Sequence, residues 1–164
     1  MDYKKIILLY FLLLALPLRT IAAQTPTELS VWVNEAIVAT YTYNYQNELT
    51  RQKEIAHYFT STGWINYTKA LTESKLPTAV KKNAYSVSAV ATMPPIIKSL
   101  HQNYWQAMMP VLVVYQNPQY RQKQTLNVTI EFTAVTLGGV RGLAITSLIA
   151  KEAAPSCICC KEPS

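Results

Sequence analysis

Beyond residue 23 the chain contains no aspartate, and its 164 residues hold only two histidines, four glycines and three cysteines. Each scarcity excludes a class of chemistry. Without aspartate, paired-carboxylate catalysis and hard-metal cages would rest on glutamate alone. Glu54 and His57 make one E-x-x-H step that shares a helical face, but carboxylate-bridged metal bundles use two such steps and further glutamates. A solvated or hydrogen-bonded His57 is the simpler reading, and His101, near a turn, reads the same way. No G-x-S-x-G elbow occurs, and no Ser or Cys nucleophile stands in a helical or strand context near either histidine. Gly63, Gly138, Gly139 and Gly142 match no phosphate-binding spacing. The run Gly138-Gly139-Val140-Arg141-Gly142 has the look of an anion nest, yet a hairpin turn accounts for it with fewer assumptions. No catalytic, cofactor-binding or metal-binding residue is assigned, and the chain is expected not to be an enzyme.

What the chain does have begins with a leader. Lys4 and Lys5 precede a continuous apolar run of 13 residues, 6–18, after which Arg19-Thr20-Ile21-Ala22-Ala23 ends in small residues. These are the three parts of a secretory signal peptide, with cleavage expected after Ala23. A spanning helix needs about 20 apolar residues, so a short membrane anchor is the weaker alternative. The organisation expected is a signal peptide over 1–23, one domain over 24–152 and a flexible cysteine-containing tail over 153–164. Removing the leader takes three cations away against Asp2 and leaves about +4 of the +6 formal charge. The remaining cations are scattered from Arg51 to Lys161. A nucleic-acid partner would gather them on one face, so none is expected.

The domain opens on Thr25-Pro26-Thr27-Glu28, the pattern of a capping box with proline at the first helical position. Trp32, Ala36, Ala39 and Tyr43, beside Leu29, Val33 and Ile37, extend a helical stripe to about Tyr45. Further helical pieces are predicted over 51–59, 64–74 and 77–83, with Thr60-Ser61-Thr62-Gly63 as an interruption. After Ala84 the period changes to two. Strands are predicted over 85–93, 104–115, 126–133 and 143–149, with a short one over 96–100. Pro110 cannot donate to a ladder, so a bulge or free edge is expected there. Helices followed by an antiparallel meander make an α+β fold, the helices packed on a curved sheet.

Tyr41, Tyr43, Tyr45 and Trp105 are candidate interface residues, because Tyr and Trp bring large contact area with little rotamer entropy. Exposure is expected for the tyrosine-rich stretch 41–45, and core positions for Trp32 and Trp64. Cys157, Cys159 and Cys160 are candidate disulfide residues. Three thiols within four residues cannot all pair among themselves, leaving one local bridge with a free thiol, or an intermolecular bridge to a partner.

YTYNYQNELTRQKEIAHYFTSTGW (residues 41–64), YWQAMMPVLVVYQN (104–117) and QTLNVTIEF (124–132) together resemble the DotI/IcmL proteins of the type IVB (Dot/Icm) secretion system, over roughly residues 31–149. The resemblance implies a periplasmic domain similar to that of TraM and the VirB-class assembly factors, a curved antiparallel sheet on a few helices like the nuclear-transport-factor cone. It also implies a structural role, with contacts to other secretion-system envelope proteins and a homo-oligomer. Inner-membrane members carry a cytoplasmic segment and a full transmembrane helix, whereas here a signal-like sequence leads into the domain. The expectation is an accessory or structural envelope component in the periplasm, touching membrane only through its N-terminal segment. The alternatives are a ligand-binding or enzymatic domain on the same cone, or a secreted protein directed at a host.

Overall fold

The computed structural model describes residues 24–153. The leader, 1–23, and the tail with Cys157, Cys159 and Cys160 lie outside the described residues. Among the described residues no helix is long and apolar enough to cross a membrane.

The first helix, α1 (Pro26–Thr40), starts as its sequence dictates. Thr25 accepts from the Glu28 backbone N–H while the Glu28 carboxylate accepts from the Thr25 N–H at 2.8 Å. Its buried face is Leu29, Trp32, Val33, Ala36, Ile37 and Thr40. The helix stops five residues short of the predicted end. Asn44 and Asn47 exchange side-chain-to-backbone bonds, Asn44 N–H to Asn47 Oδ1 at 2.8 Å and Asn47 N–H to Asn44 Oδ1 at 2.9 Å. Such local bonds offer the backbone an alternative to the helical ladder. Tyr43–Asn44 instead form a short strand, β1, which the helical period concealed.

Three helices follow: α2 (Glu48–Ala56), α3 (Ser61–Glu73) and α4 (Leu76–Lys82). The interruption between α2 and α3 is a docking point. Phe59 makes a parallel bridge with Ile145, the Ile145 N–H donating to the Tyr58 carbonyl and the Thr60 N–H to the Ile145 carbonyl. Thr60 then caps α3 by accepting from the Gly63 N–H. Gly63 lies so close to the sheet that a Cβ there would stand 2.4 Å from the Ile145 carbonyl oxygen.

The remaining strands are β2 (Ser86–Ala91), β3 (Ile96–His101), β4 (Tyr104–Gln116), β5 (Arg121–Ala134) and β6 (Leu143–Glu152). All pairings among the named strands are antiparallel, in the order β1-β2-β4-β5-β6, with β3 also on β4. β2 pairs with Val111–Gln116 of β4, and β3 with Tyr104–Met108. Pro110 falls in the seam between them, and its carbonyl accepts from the Thr92 N–H at 3.0 Å. The carbonyl and nitrogen of one strand residue point to the same side. The missing donor therefore faces the seam, and β4 runs past Pro110 in unbroken register with β5. The free edge expected at Pro110 is local, and no bulge forms there. The Gly138-Gly139 run is the turn between β5 and β6, with φ of 74° and 70°.

The sheet curls around α1. Inward residues alternate along β4 (Ala107, Met109, Val111, Val113) and β5 (Val128, Ile130, Phe132), all at 0 % exposure. Trp32 fills the hollow, its ring 5.1 Å from that of Phe132 and its Nε1–H donating to the Val140 carbonyl at 2.8 Å. Burial of each such large side chain contributes about 1.5–3 kcal/mol. A polar bracket closes the other side of α1: the Tyr58 hydroxyl donates to Glu35 at 2.8 Å, and Arg141 from the β5–β6 turn pairs with the same carboxylate.

Two outcomes follow for stability. In an open helix Gly→Ala stabilises by about 1 kcal/mol. For Gly63→Ala the contact with β6 reverses the sign, and denaturant titration should show a loss of about 1–3 kcal/mol; an unchanged or raised midpoint would remove the close docking of α3. Alkaline pH should also unfold the protein. Burial, then the bond and charge of Glu35, push the Tyr58 phenol up to about 12. Burial raises Tyr41, Tyr43, Tyr67 and Tyr115 in the same direction. The unfolded phenols ionise near pH 10, so the unfolded state binds fewer protons above that pH. Stability is then fully present below pH 10 and lost as pH rises through 10 to 12. Denaturant midpoints at pH 8, 10 and 11 check this; a flat series contradicts it.

Candidate interaction surface

Residues directly opposite each other in a sheet share a face, so the register identifies the face turned away from α1. One row runs Ile96–Met108–Thr129–Ile149 across β3, β4, β5 and β6. A second runs Val90–Leu112–Thr125 across β2, β4 and β5, with Pro110–Asn127–Lys151 between them. Ile96 is 64 % exposed, Val90 54 %, Ile149 54 % and Met108 46 %. These apolar side chains are adjacent on one open surface, unlike the scattered exposed apolar residues of an ordinary monomer surface.

Charge on the same face has one dominant sign. Lys98, Arg121, Lys123 and Lys151 occupy outward positions of β3, β5 and β6. Among the strand residues facing this way the one acid is Glu131, whose carboxylate accepts from the Tyr104 hydroxyl at 2.8 Å and from Gln106 Nε2 at 3.5 Å. The surface is thus an apolar centre with a cationic rim. The sequence shows the apolar run Met108–Val114 of β4, but its adjacency to Ile96, Val90 and Ile149 is a matter of register.

The aromatic residues singled out from sequence are placed differently from one another. Tyr45 is exposed at 42 %. Tyr41 and Tyr43 are only partly exposed and pack against the core, which corrects the expectation of exposure for the whole stretch. For Tyr43 the reason is β1, where it pairs with the buried Val87; Tyr41, the C-cap of α1, packs on the same core. Trp105 faces inward, stacked on Phe132 at 5.4 Å. Trp32 is core, whereas Trp64 is half-buried beside Phe59 and Tyr67.

The remaining polar candidates are engaged locally. Glu54 pairs with Arg51 one turn away, while His57 caps the end of α2. His101 stacks on Tyr104 at 4.5 Å. Among the described residues no group of three His, Cys, Asp or Glu stands close enough to hold a metal ion.

Similarity to known proteins converges on one family. The model of the type IVB secretion-system inner-membrane complex component DotI/IcmL matches residues 15–152. An IcmL-like type IV secretion system protein from Legionella pneumophila is 54 % identical, with 84 % of this chain and 100 % of that one covered and a TM-score of 0.80. The periplasmic domain of DotI is 33 % identical over 82 % of this chain and 100 % of that domain, with a TM-score of 0.75. A periplasmic fragment of TraM, 16 % identical with a TM-score of 0.69 over 80 % of this chain and 100 % of the fragment, shares the fold. No protein of curated function matches the chain. With the family model spanning nearly all the described residues, the chain belongs to the DotI/IcmL family of type IVB secretion-system components.

Proposed function

We propose that this protein is a periplasmic member of a type IVB secretion apparatus that works by contact and not by catalysis. We further propose that the outer face of its sheet is where it docks. The observation that carries this reading is the apolar strip Val90–Leu112 and Ile96–Met108–Ile149 inside a rim of Lys98, Arg121, Lys123 and Lys151. An apolar centre with a polar rim is the anatomy of protein interfaces. The sign of the rim selects the partner. Two copies placed face to face would set cation against cation, whereas an envelope protein with an apolar centre and an acidic rim meets both features. The family's place in a secretion complex supports this class of partner, and the periplasmic relative DotI supports the compartment. Tyr45, the exposed one of the 41–45 tyrosines, lies opposite Tyr85 on the α1 side of the sheet and takes no part in this face.

The test is in-cell crosslinking from this face, with wild type compared with Met108→Glu and with Lys98→Glu/Lys151→Glu. The three side chains are solvent-facing, so thermal midpoints should stay close to wild type. Crosslinks to secretion-system envelope proteins should fall at least tenfold for Met108→Glu, since a central contact contributes more than about 1.4 kcal/mol. The double charge reversal should weaken capture and flatten its dependence on salt. Wild-type crosslinking by both variants would remove the outer face as the docking surface, and self-crosslinks alone would assign it to a second copy.

A further inference from the structure

The opposite side of the sheet holds a second feature. Where the curled sheet opens beneath α3, a cleft of about 390 Å³ is bounded by the α1–β1 junction, α3, the start of α4 and the ends of β4, β5 and β6. This lies in the range of roughly 300–1,000 Å³ typical of ligand pockets. Its walls are aliphatic, with Leu71, Leu76, Leu126 and Leu148, and four tyrosines converge on it: Tyr41, Tyr43, Tyr67 and Tyr115. No charged side chain is among the lining residues. The Tyr43 hydroxyl is buried with no hydrogen-bond partner among the described residues.

Those facts constrain what fits. Burial raises all four phenols, so they stay protonated and able to donate at neutral pH. A carboxylate, phosphate or ammonium would enter an uncharged site with no counterion, at a high desolvation cost. A purely aliphatic chain would satisfy the walls and leave the hydroxyls unmatched. The backbone adds a further preference. β6 reaches β5 only as far as Leu126, opposite Glu152, with Ala153 N–H donating to Thr125. Among the described residues, β5 from Arg121 to Gln124 is therefore paired on its β4 side alone, and Gln124 lines the cleft. A free strand edge beside an apolar pocket is the arrangement by which sheets add an extended peptide.

We propose that this cleft receives a short, uncharged apolar segment of a protein partner, aliphatic side chains against the leucine walls, backbone carbonyls on the tyrosine hydroxyls. The site is independent of the outer-face reading, because it lies on the other side of the sheet and needs no contact made there. Tyr43 also borders a void of about 10 Å³ beside Glu48, Arg51 and Gln52. Such a void holds at most one water, which gives the hydroxyl a purely internal alternative that the test separates.

The test uses one peptide body in three charge states: N-acetyl-Leu-Leu-amide, N-acetyl-Leu-Leu with a free carboxylate, and Leu-Leu-amide with a free ammonium. Each is titrated into the purified protein with NMR detection of the Ala70 and Ala150 methyl groups, both in the cleft lining. The neutral peptide should shift both methyls and bind more tightly than either charged form. Tyr43→Phe and Tyr67→Phe keep the rings and should each weaken the neutral peptide roughly 2- to 12-fold, the range for one neutral hydrogen bond. Tyr43→Phe should at the same time raise the thermal midpoint by removing a buried unpaired hydroxyl. Stabilisation with unchanged affinity would mean that the hydroxyl serves only the internal void and would overturn the proposal. Equal binding of the three peptides, or binding by none to a folded protein, would do the same. The titration is repeated on the chain ending at Ala153: equal affinity supports a partner's segment, and tighter binding would assign the cleft to residues 154–164 and overturn it.

Discussion

The fold depends on the seating of Trp32 in the hollow of the sheet. Its indole reaches three parts of the chain at once: the Phe132 ring on β5, the Tyr58 ring after α2 and, through Nε1–H, the Val140 carbonyl in the β5–β6 turn. α1 can present that ring because its apolar stripe continues through Val33, Ala36 and Ile37, all at 0 % exposure. The sheet can receive it because β4 and β5, its two longest strands, turn a continuous apolar inner face toward α1, from Ala107 to Val113 and from Val128 to Phe132 at alternate positions. Loss of this contact would uncover the inner face of the sheet and leave the Glu35–Arg141 pair and the Phe59–Ile145 bridge without a common support.

Much of this was readable from residue order. The capping box at Thr25 and Glu28, the change of period near Ala84 and the alternation through Leu126, Val128, Ile130 and Phe132 each describe a local preference, and local preferences agree with the fold here. What escaped sequence reasoning was tertiary. Nothing in YTYNYQN distinguishes a further helical turn from a strand until β2 arrives to pair with Tyr43. The stretch Thr60-Ser61-Thr62-Gly63 reads as a break, yet its purpose, to bring α3 against β6, is visible only once Ile145 is beside it. The candidate surfaces divide in the same way. Exposure of Tyr41 and Tyr43 was inferred from composition and is corrected by pairing. The outer apolar strip is half visible in the unbroken apolar run Met108–Val114, and register alone joins it to neighbouring strands.

The two faces of the sheet differ in chemistry. Outside, cations surround an apolar strip, so encounter is favoured by long-range charge and sensitive to ionic strength. Inside, beneath α3, the cleft has aliphatic walls, phenol donors and no charge, which selects by shape and by hydrogen-bond pairing. The two proposed contacts would therefore answer to different properties of a neighbour and need not compete.

Pro110 has one more implication. Because the residue that separates β2 from β3 has no donor to lose, the segment spanning Thr92 to Pro95 crosses a place where the edge of the sheet is already discontinuous. The long β4–β5 ladder carries the sheet past that place by itself. A change in this crossing would put at risk the Thr92–Pro110 bond but no pair of the β4–β5 ladder, so the seam is where the outer contour can change while the rest of the sheet stays intact.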